Sequence, residues 1–155
     1  MRYRNKVLSV LMLALVTFGS CDSIDCTLYN TVSLRCAFYS EGKTVKLTDT
    51  LTVSALGTDS ILINRMVGAS ALELPLSYSQ EQDIIVLHVY GQEYEMRDTL
   101  WIEKTNTTHF ESPDCPTAMF HQIMSVEHTG NFIDSISITR SLVDYDQTEN
   151  IRIHL

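Results

Sequence analysis

The sequence predicts an antiparallel β-sandwich, and three observations carry that expectation. Apolar residues recur with period two in many short runs, turn residues punctuate the runs, and no long stretch holds a 3.6-residue apolar period. Alternate side chains of a strand face opposite sides, so period two marks segments with one face in a core and one in water.

Thr31–Tyr39 alternates, with Val32, Leu34, Cys36 and Phe38 on one face, and Ser40-Glu41-Gly42-Lys43 supplies a turn. Val45–Leu56 reads as one long strand, with Leu47, Asp49, Leu51 and Val53 opposite Thr48, Thr50, Thr52 and Ser54. A carboxylate on the apolar face at Asp49 predicts a bulge or register change there. Gly57-Thr58-Asp59 is a turn before the short apolar strand Ile61–Ile63, and residues 64–70 read as a loop. Leu72, Leu74 and Leu76 alternate around Glu73 and Pro75. Proline cannot donate to a ladder, which assigns this strand to an edge. Asp83–Tyr90 and Glu93–Lys104 flank Gly91-Gln92, read as a two-residue hairpin. Thr108–Glu111 is a short strand before a cysteine-bearing loop, and Met119–His128 is where Phe120, Ile123 and Met124 fit one short helical turn. Phe132–Thr139 alternates again, and Ile151, Ile153 and Leu155 form a last strand. Together, about seven to nine short strands fit a single all-β domain of immunoglobulin-like type over residues 31–155.

The N-terminus has a different grammar. Arg2, Arg4 and Lys6 form a basic region, Val7–Phe18 is apolar except at Ser9 and Thr17, and the small residues Gly19 and Ser20 precede Cys21. Residues 1–20 therefore read as a signal peptide, since the apolar run is too short for a permanent span. A cysteine directly after the small residues supplies the thiol that a lipoprotein-processing pathway acylates before cleavage. Cys21 is read as the lipidated first residue of the mature chain, with Phe18 where many such boxes carry leucine. Residues 21–30 are then a lipidated N-terminus and a short tether. Two or three acyl chains anchor stably where one is marginal. The expected location is the outer membrane, anchored by lipid, on either its periplasmic or its outer face.

The chain has 11 Lys+Arg against 19 Asp+Glu. Loss of Arg2, Arg4 and Lys6 with the signal leaves 8 against 19, a net charge of −11. Such a body has no electrostatic footprint for nucleic acid or for anionic lipid, and its complement is a basic patch on a partner. Three cysteines follow Cys21. Export brings them to an oxidising compartment, which predicts one disulfide and one free thiol. Cys36 shares the apolar face of the first strand, the usual setting of a buried thiol. Cys26 precedes that strand, and Cys115 sits in Pro113-Asp114-Cys115-Pro116, where backbone can adapt to bridge geometry. The favoured pair is Cys26–Cys115.

No catalytic constellation is legible. His88, His109, His121, His128 and His154 form no zinc-spaced set, and no nucleophile elbow, phosphate loop or dinucleotide fingerprint occurs. Asp144, Asp146 and Glu149 gather in one loop without the glycine of a calcium loop, and read as solvated acids. No cofactor and no metal is expected. One tripeptide recurs: Asp, then Ser or Thr, then an aliphatic residue. It occurs at Asp22-Ser23-Ile24, Asp49-Thr50-Leu51, Asp59-Ser60-Ile61, Asp98-Thr99-Leu100 and Asp134-Ser135-Ile136, where composition alone gives roughly one. The pattern resembles the O-glycosylation acceptor of exported Bacteroidetes proteins, which makes Thr50, Ser60, Thr99 and Ser135 candidate acceptors, with Ser23, beside the lipid, the least favoured. The competing reading is a polar step at strand entries.

The layout also resembles a family of small Bacteroidetes outer-membrane lipoproteins of unknown function. The matching pieces are the Cys21 box, Asp25-Cys26-Thr27, Arg35-Cys36-Ala37-Phe38-Tyr39, Leu74-Pro75-Leu76, and Asp114-Cys115 followed by Phe120. The resemblance implies a disulfide-bearing β-sandwich at the outer membrane and brings no catalytic residues. Cys36 falls where that family usually has another residue, which agrees with leaving it out of the bridge.

The expected function is a lipid-anchored, non-enzymatic accessory subunit whose partner is an outer-membrane β-barrel protein or another envelope lipoprotein. Tyr78, Tyr90 and Trp101 are the candidate contact residues. A glycan- or peptide-binding surface module is the alternative, and nucleic acid is not an expected partner. Everything here hangs on one thiol. Labelling with a fatty-acid analogue should vanish in Cys21→Ala and the protein should become soluble; undiminished labelling would remove the anchor assignment.

Overall fold

The computed structural model describes Cys26 and residues 32–58, 60–113 and 115–155. The expected signal peptide, Cys21 and, Cys26 apart, the expected 21–30 tether lie outside the described residues. Two sheets pack face to face, built from β1 (Leu34–Ser40), β2 (Lys43–Thr44), β3 (Thr50–Ala55), β4 (Ser60–Val67), β5 (Ala71–Leu74), β6 (Gln82–Tyr90), β7 (Glu95–His109), β8 (Ala118–His128), β9 (Ser135–Ile138), β10 (Leu142–Val143) and β11 (Ile151–His154). One sheet runs β2-β1-β11-β9, with β5 pairing β1 beside β2, and the other runs β10-β8-β7-β6-β3-β4. The architecture is the β-sandwich that period two predicted.

The core is the sum of the inward sets. Leu34, Cys36 and Phe38 of β1, with Ile151 and Ile153 of β11, meet Leu51, Val53, Leu87, Leu100 and Ile102 of the larger sheet, all buried. β11 lies parallel to β1, with Cys36 opposite Ile151 and Phe38 opposite Ile153, so the end of the chain completes the sheet that its beginning starts. Buried Asn150 fixes that register. Its Oδ1 accepts from the Arg35 N–H (3.1 Å), and its Nδ2 donates to the carbonyls of Arg140 (3.0 Å) and Leu142 (2.9 Å).

Several sequence expectations are corrected. The short helix near 119–128 is strand β8. Ser125 faces Glu103 and Ile123 faces Lys104, so Met124 is the extra residue of a bulge and turns outward. That inserted residue gives Phe120, Ile123 and Met124 their helix-like spacing. The long strand 45–56 is two pieces. β2 of the smaller sheet ends at Thr44, Leu47 N–H bonds the Ala69 carbonyl just before β5, and β3 begins at Thr50 in the larger sheet, so Asp49 lies in a crossing between sheets. Much of the loop expected over 64–70 belongs to β4. Leu51 pairs with Met66 and Val53 with Ile63, leaving Asn64-Arg65 as a bulge with Arg65 at φ 49°. Gly91-Gln92 is part of a four-residue loop, 91–94, closed by Gly91 N–H to Tyr94 O (2.9 Å). The two-residue hairpin is Glu41-Gly42, where φ values of 51° and 76° match the mirror-image turn that suits strand twist. Thr108 and His109, expected to start a separate short strand, are the end of β7.

Strand β7 carries a charge at each end of its inward row Asp98, Leu100, Ile102, Lys104, all buried. Asp98 accepts from Thr129 Oγ (2.6 Å) and from the backbone N–H groups of Asn131 (2.9 Å), Phe132 (2.8 Å) and Ile133 (2.9 Å). Burial alone would raise its pKa, yet these donors outweigh it and hold the carboxyl below its ordinary value. The β8–β9 turn is thus folded around one carboxylate. Asp98→Ala strands several buried donors, and a stability loss on the order of 3 kcal/mol is expected. A shift below about 1 kcal/mol in urea unfolding at unchanged m would show that the turn holds itself.

Candidate functional site

At the other end of the β7 row, Lys104 is buried and its Nζ reaches four groups. It donates to the carbonyls of Ser77 (2.6 Å) and Gln80 and to Asn106 Oδ1 (2.9 Å), and it lies 3.3 Å from Asp83 Oδ2. Asp83 in turn accepts the Ser77 N–H. Asn106 Nδ2 donates to the carbonyls of Tyr78 and Gln80, so its Oδ1 is the acceptor toward Lys104 and toward His121 Nδ1 (2.7 Å). The His121 ring therefore carries a proton on Nδ1. Its Nε2 is buried with no partner among the described residues. Burial first, then the Lys104 charge, push the His121 pKa down to about 4, with Asp83 pulling weakly the other way. The set looks like acid–base machinery, but its geometry is that of a lock. Its hydrogen bonds hold the 77–80 segment against the inner side of β7 and β8. Inward positions were legible from alternation; that two of them are Lys104 and His121 was the overlooked signal.

The outer side of the six-stranded sheet is a second surface of interest. Ile84 faces Trp101, Val86 faces Thr99, His88 faces Arg97 and Tyr90 faces Glu95 across β6 and β7. Ile84, Val86, Tyr90 and Trp101 are half-buried there, and Ile61 and Val67 of β4 are exposed along the same sheet. His88 packs against Tyr90 with the rings tilted (3.8 Å between centroids), and the Tyr90 ring also lies under Arg65 (5.4 Å). Of the three aromatic residues picked from sequence, Tyr90 and Trp101 share this face. Tyr78 is exposed elsewhere, its ring stacked on His121 (6.1 Å). A groove of about 580 Å³ opens between the β3–β4 turn and residues 75–84, walled by Leu56, Leu62, Pro75 and Leu76 with Gln82 and Asp83 at its side.

The remaining candidates are dispersed. Thr50 and Thr99 are half-buried, Ser60 and Ser135 are exposed, and the four lie on four different strands. Asp98, the acid of the Thr99 tripeptide, is the carboxylate consumed by the β8–β9 turn. In the acidic loop, Arg140 grips Asp144 through two bonds of 2.8 Å, and Glu149 takes Arg152 (2.7 Å) and the Tyr39 hydroxyl (3.0 Å). The sulfurs of Cys26 and Cys115 are bonded, with Cα atoms 5.6 Å apart. Cys36 is a free, buried thiol whose pKa burial pushes up to about 12, with the Glu149 charge adding to it.

The fold and these surfaces define a disulfide-bonded two-sheet β-sandwich with an open six-stranded outer face. By sequence the chain belongs to a family of unknown function (DUF6452), whose model matches residues 50–155. No curated protein and no solved structure matches it significantly. The matched region begins at β3, so it contains Asp98, Lys104, His121 and Cys115 but neither β1 nor Cys26.

The lock has a pH signature. A histidine whose folded pKa lies near 4, below its unfolded value near 6.5, favours the folded state fully above pH 6.5 and loses that contribution as pH falls toward 4. The unfolding free energy should fall over that window, with a His121 share of at most ~1.4 kcal/mol per pH unit. His121→Gln should flatten the slope by up to one proton. Superimposable pH profiles for the two proteins would show that His121 is not held neutral.

Proposed function

We propose that this protein is a lipid-anchored, non-enzymatic accessory subunit of an outer-membrane complex, and that its partner is a β-barrel protein or a neighbouring envelope lipoprotein. The attribution to Bacteroidetes outer-membrane lipoproteins belongs to the same proposal and rests on the N-terminal grammar ending at Cys21. The observation that carries the subunit reading is the outer face of the six-stranded sheet. Ile84, Val86, Tyr90 and Trp101 stand side by side there on two central strands, uncovered by any other described element. A sandwich needs only its inner faces apolar, so such a row is more than the core demands. One interface of standard size takes about 800 Å² from each partner, which a six-stranded face can supply. Charges around the row are of both signs, Glu95, Glu103 and Glu127 with Arg65 and Arg97, and suit a partner surface of complementary mixed charge.

The alternative, a glycan- or peptide-binding module, is favoured by the groove beside Leu62, Leu76 and Gln82. The two readings separate by location. Thr50 and Thr99 lie on the docking face, so O-glycosylation at these positions and a partner seated over them exclude each other. Tagged protein extracted gently from native membranes should bring down a β-barrel protein at near-stoichiometric yield, and Trp101→Glu should cut that recovery at least fivefold. A monomer after crosslinking in native membranes sinks the subunit reading and leaves the groove as the working surface.

A further inference from the structure

Four exposed apolar side chains, Leu56, Ile61, Tyr78 and Phe110, lie at the end of the sandwich that holds the β3–β4, β5–β6 and β7–β8 connections. Phe110, 66% exposed, is the outermost. Pairing of β6 with β7 stops at Gln82–Glu103, whereas β7 and β8 stay paired to His109–Ala118. The extension runs roughly 20 Å past β6; β10 still flanks β8 at His121–Gln122, and beyond it Thr107–His109 with Ala118–Phe120 is a two-stranded hairpin roughly 10 Å long. A free ribbon of that length would fray. This one is braced on its inner side by the bonds that Lys104, Asn106 and His121 make with the 77–80 segment and its neighbours. It is braced again by a ring cluster, with His109 stacked on Phe120 (4.2 Å) and Tyr145 edge-on to Phe120 (5.1 Å).

The same tip is where the N-terminal segment is fastened. Cys115, five residues after Phe110, is bonded to Cys26, and Cys26 is five residues from Cys21. Five residues reach at most ~18 Å. Whatever holds Cys21 therefore lies close to the Phe110 loop. Residues 105–118 contain no lysine or arginine and two acids, Glu111 and Asp114, among threonines and prolines. That composition disfavours an anionic surface and tolerates a zwitterionic one, with an aromatic ring as the contact.

We propose that the tip of the β7–β8 hairpin, with Phe110 at its point, sits in the headgroup layer of a zwitterionic lipid surface beside the acyl chains on Cys21. The domain then stands on its hairpin, with the 91–94 turn outermost. This rests on the reading of Cys21 as the lipid anchor. The fifteen residues of β7 make the two ends roughly 50 Å apart, so contact at Phe110 excludes contact at Tyr94 in an upright domain.

The test uses the full-length lipidated protein on phosphatidylcholine vesicles carrying brominated acyl chains, with Trp101→Phe as background. Phe110→Trp should lose at least half its emission, while Tyr94→Trp and native Trp101 should lose none. Unquenched Trp at position 110 on protein that stays bound through Cys21 overturns the tip contact and leaves the anchor standing. Quenching at 94 or 101 overturns the upright orientation. Crosslinks from position 110 to another protein in native membranes, with no lipid quenching, hand the tip to a protein partner instead. Should wild type and Cys21→Ala leave the vesicles alike, the anchor itself fails and the tip contact falls with it.

Discussion

Two buried charges on one strand organise this molecule. The inward row of β7 reads Asp98, Leu100, Ile102, Lys104, so apolar burial at its centre draws an acid and a base out of water at its ends. The cost of stripping water from either charge is several kcal/mol unless hydrogen bonds replace it. Each charge is met by backbone and side chains together. The 129–133 turn supplies N–H groups to Asp98, and the 77–80 segment supplies carbonyls to Lys104. Two connections between the sheets, β8 to β9 and β5 to β6, are thereby shaped by their need to solvate β7. The strand is long because both ends are held.

Consequences spread from the Lys104 end. Closing the 77–80 segment over the inner side of the hairpin lets β7 and β8 run on together after β6 has stopped. The same closure buries His121 and leaves its ring no means of taking a second proton cheaply. A catalytic histidine needs a pKa near the working pH and an open path to a substrate. His121 has neither, which is why the Lys104–Asp83–Asn106–His121 set reads as a structural lock.

Much of the fold was legible because its cause is local. Alternation at Leu34–Phe38, Leu72–Leu74 and Ile151–Ile153 needs only the two-residue period of a strand, and Pro75 needs only its missing donor to mark an edge. What misled was produced by partners distant in sequence. Met124 gives β8 a helical spacing because Glu103 and Lys104, about twenty residues away, leave no place opposite it. Asp49 breaks an apolar face because the chain changes sheets there, which the sequence around 45–56 cannot reveal. For the candidate surfaces the contrast is similar. The Cys26–Cys115 pairing followed from excluding Cys36 as a core residue. The grouping of Tyr90 and Trp101 with Ile84 and Val86 depends on the β6–β7 register, and Lys104 and His121 become partners only through Asn106 and the 77–80 segment.

The disulfide adds a constraint of a different kind. Its two cysteines are 89 positions apart, and closing a loop of that length removes unfolded-state entropy worth roughly 4–5 kcal/mol as an upper figure. That benefit would be nearly the same wherever on the body Cys26 were fixed. Its location has a separate effect. A bond to Cys115 ties the chain that precedes β1 to the far tip of a hairpin that belongs to the opposite sheet, so this tip cannot open without also straining the N-terminal connection. The lock at Lys104, the ring cluster at Phe120 and the bridge at Cys115 thus act in series along one projection, from its root to its point. Held at three levels, the projection is fixed from root to point on β7, the strand around which the rest of the sandwich is arranged.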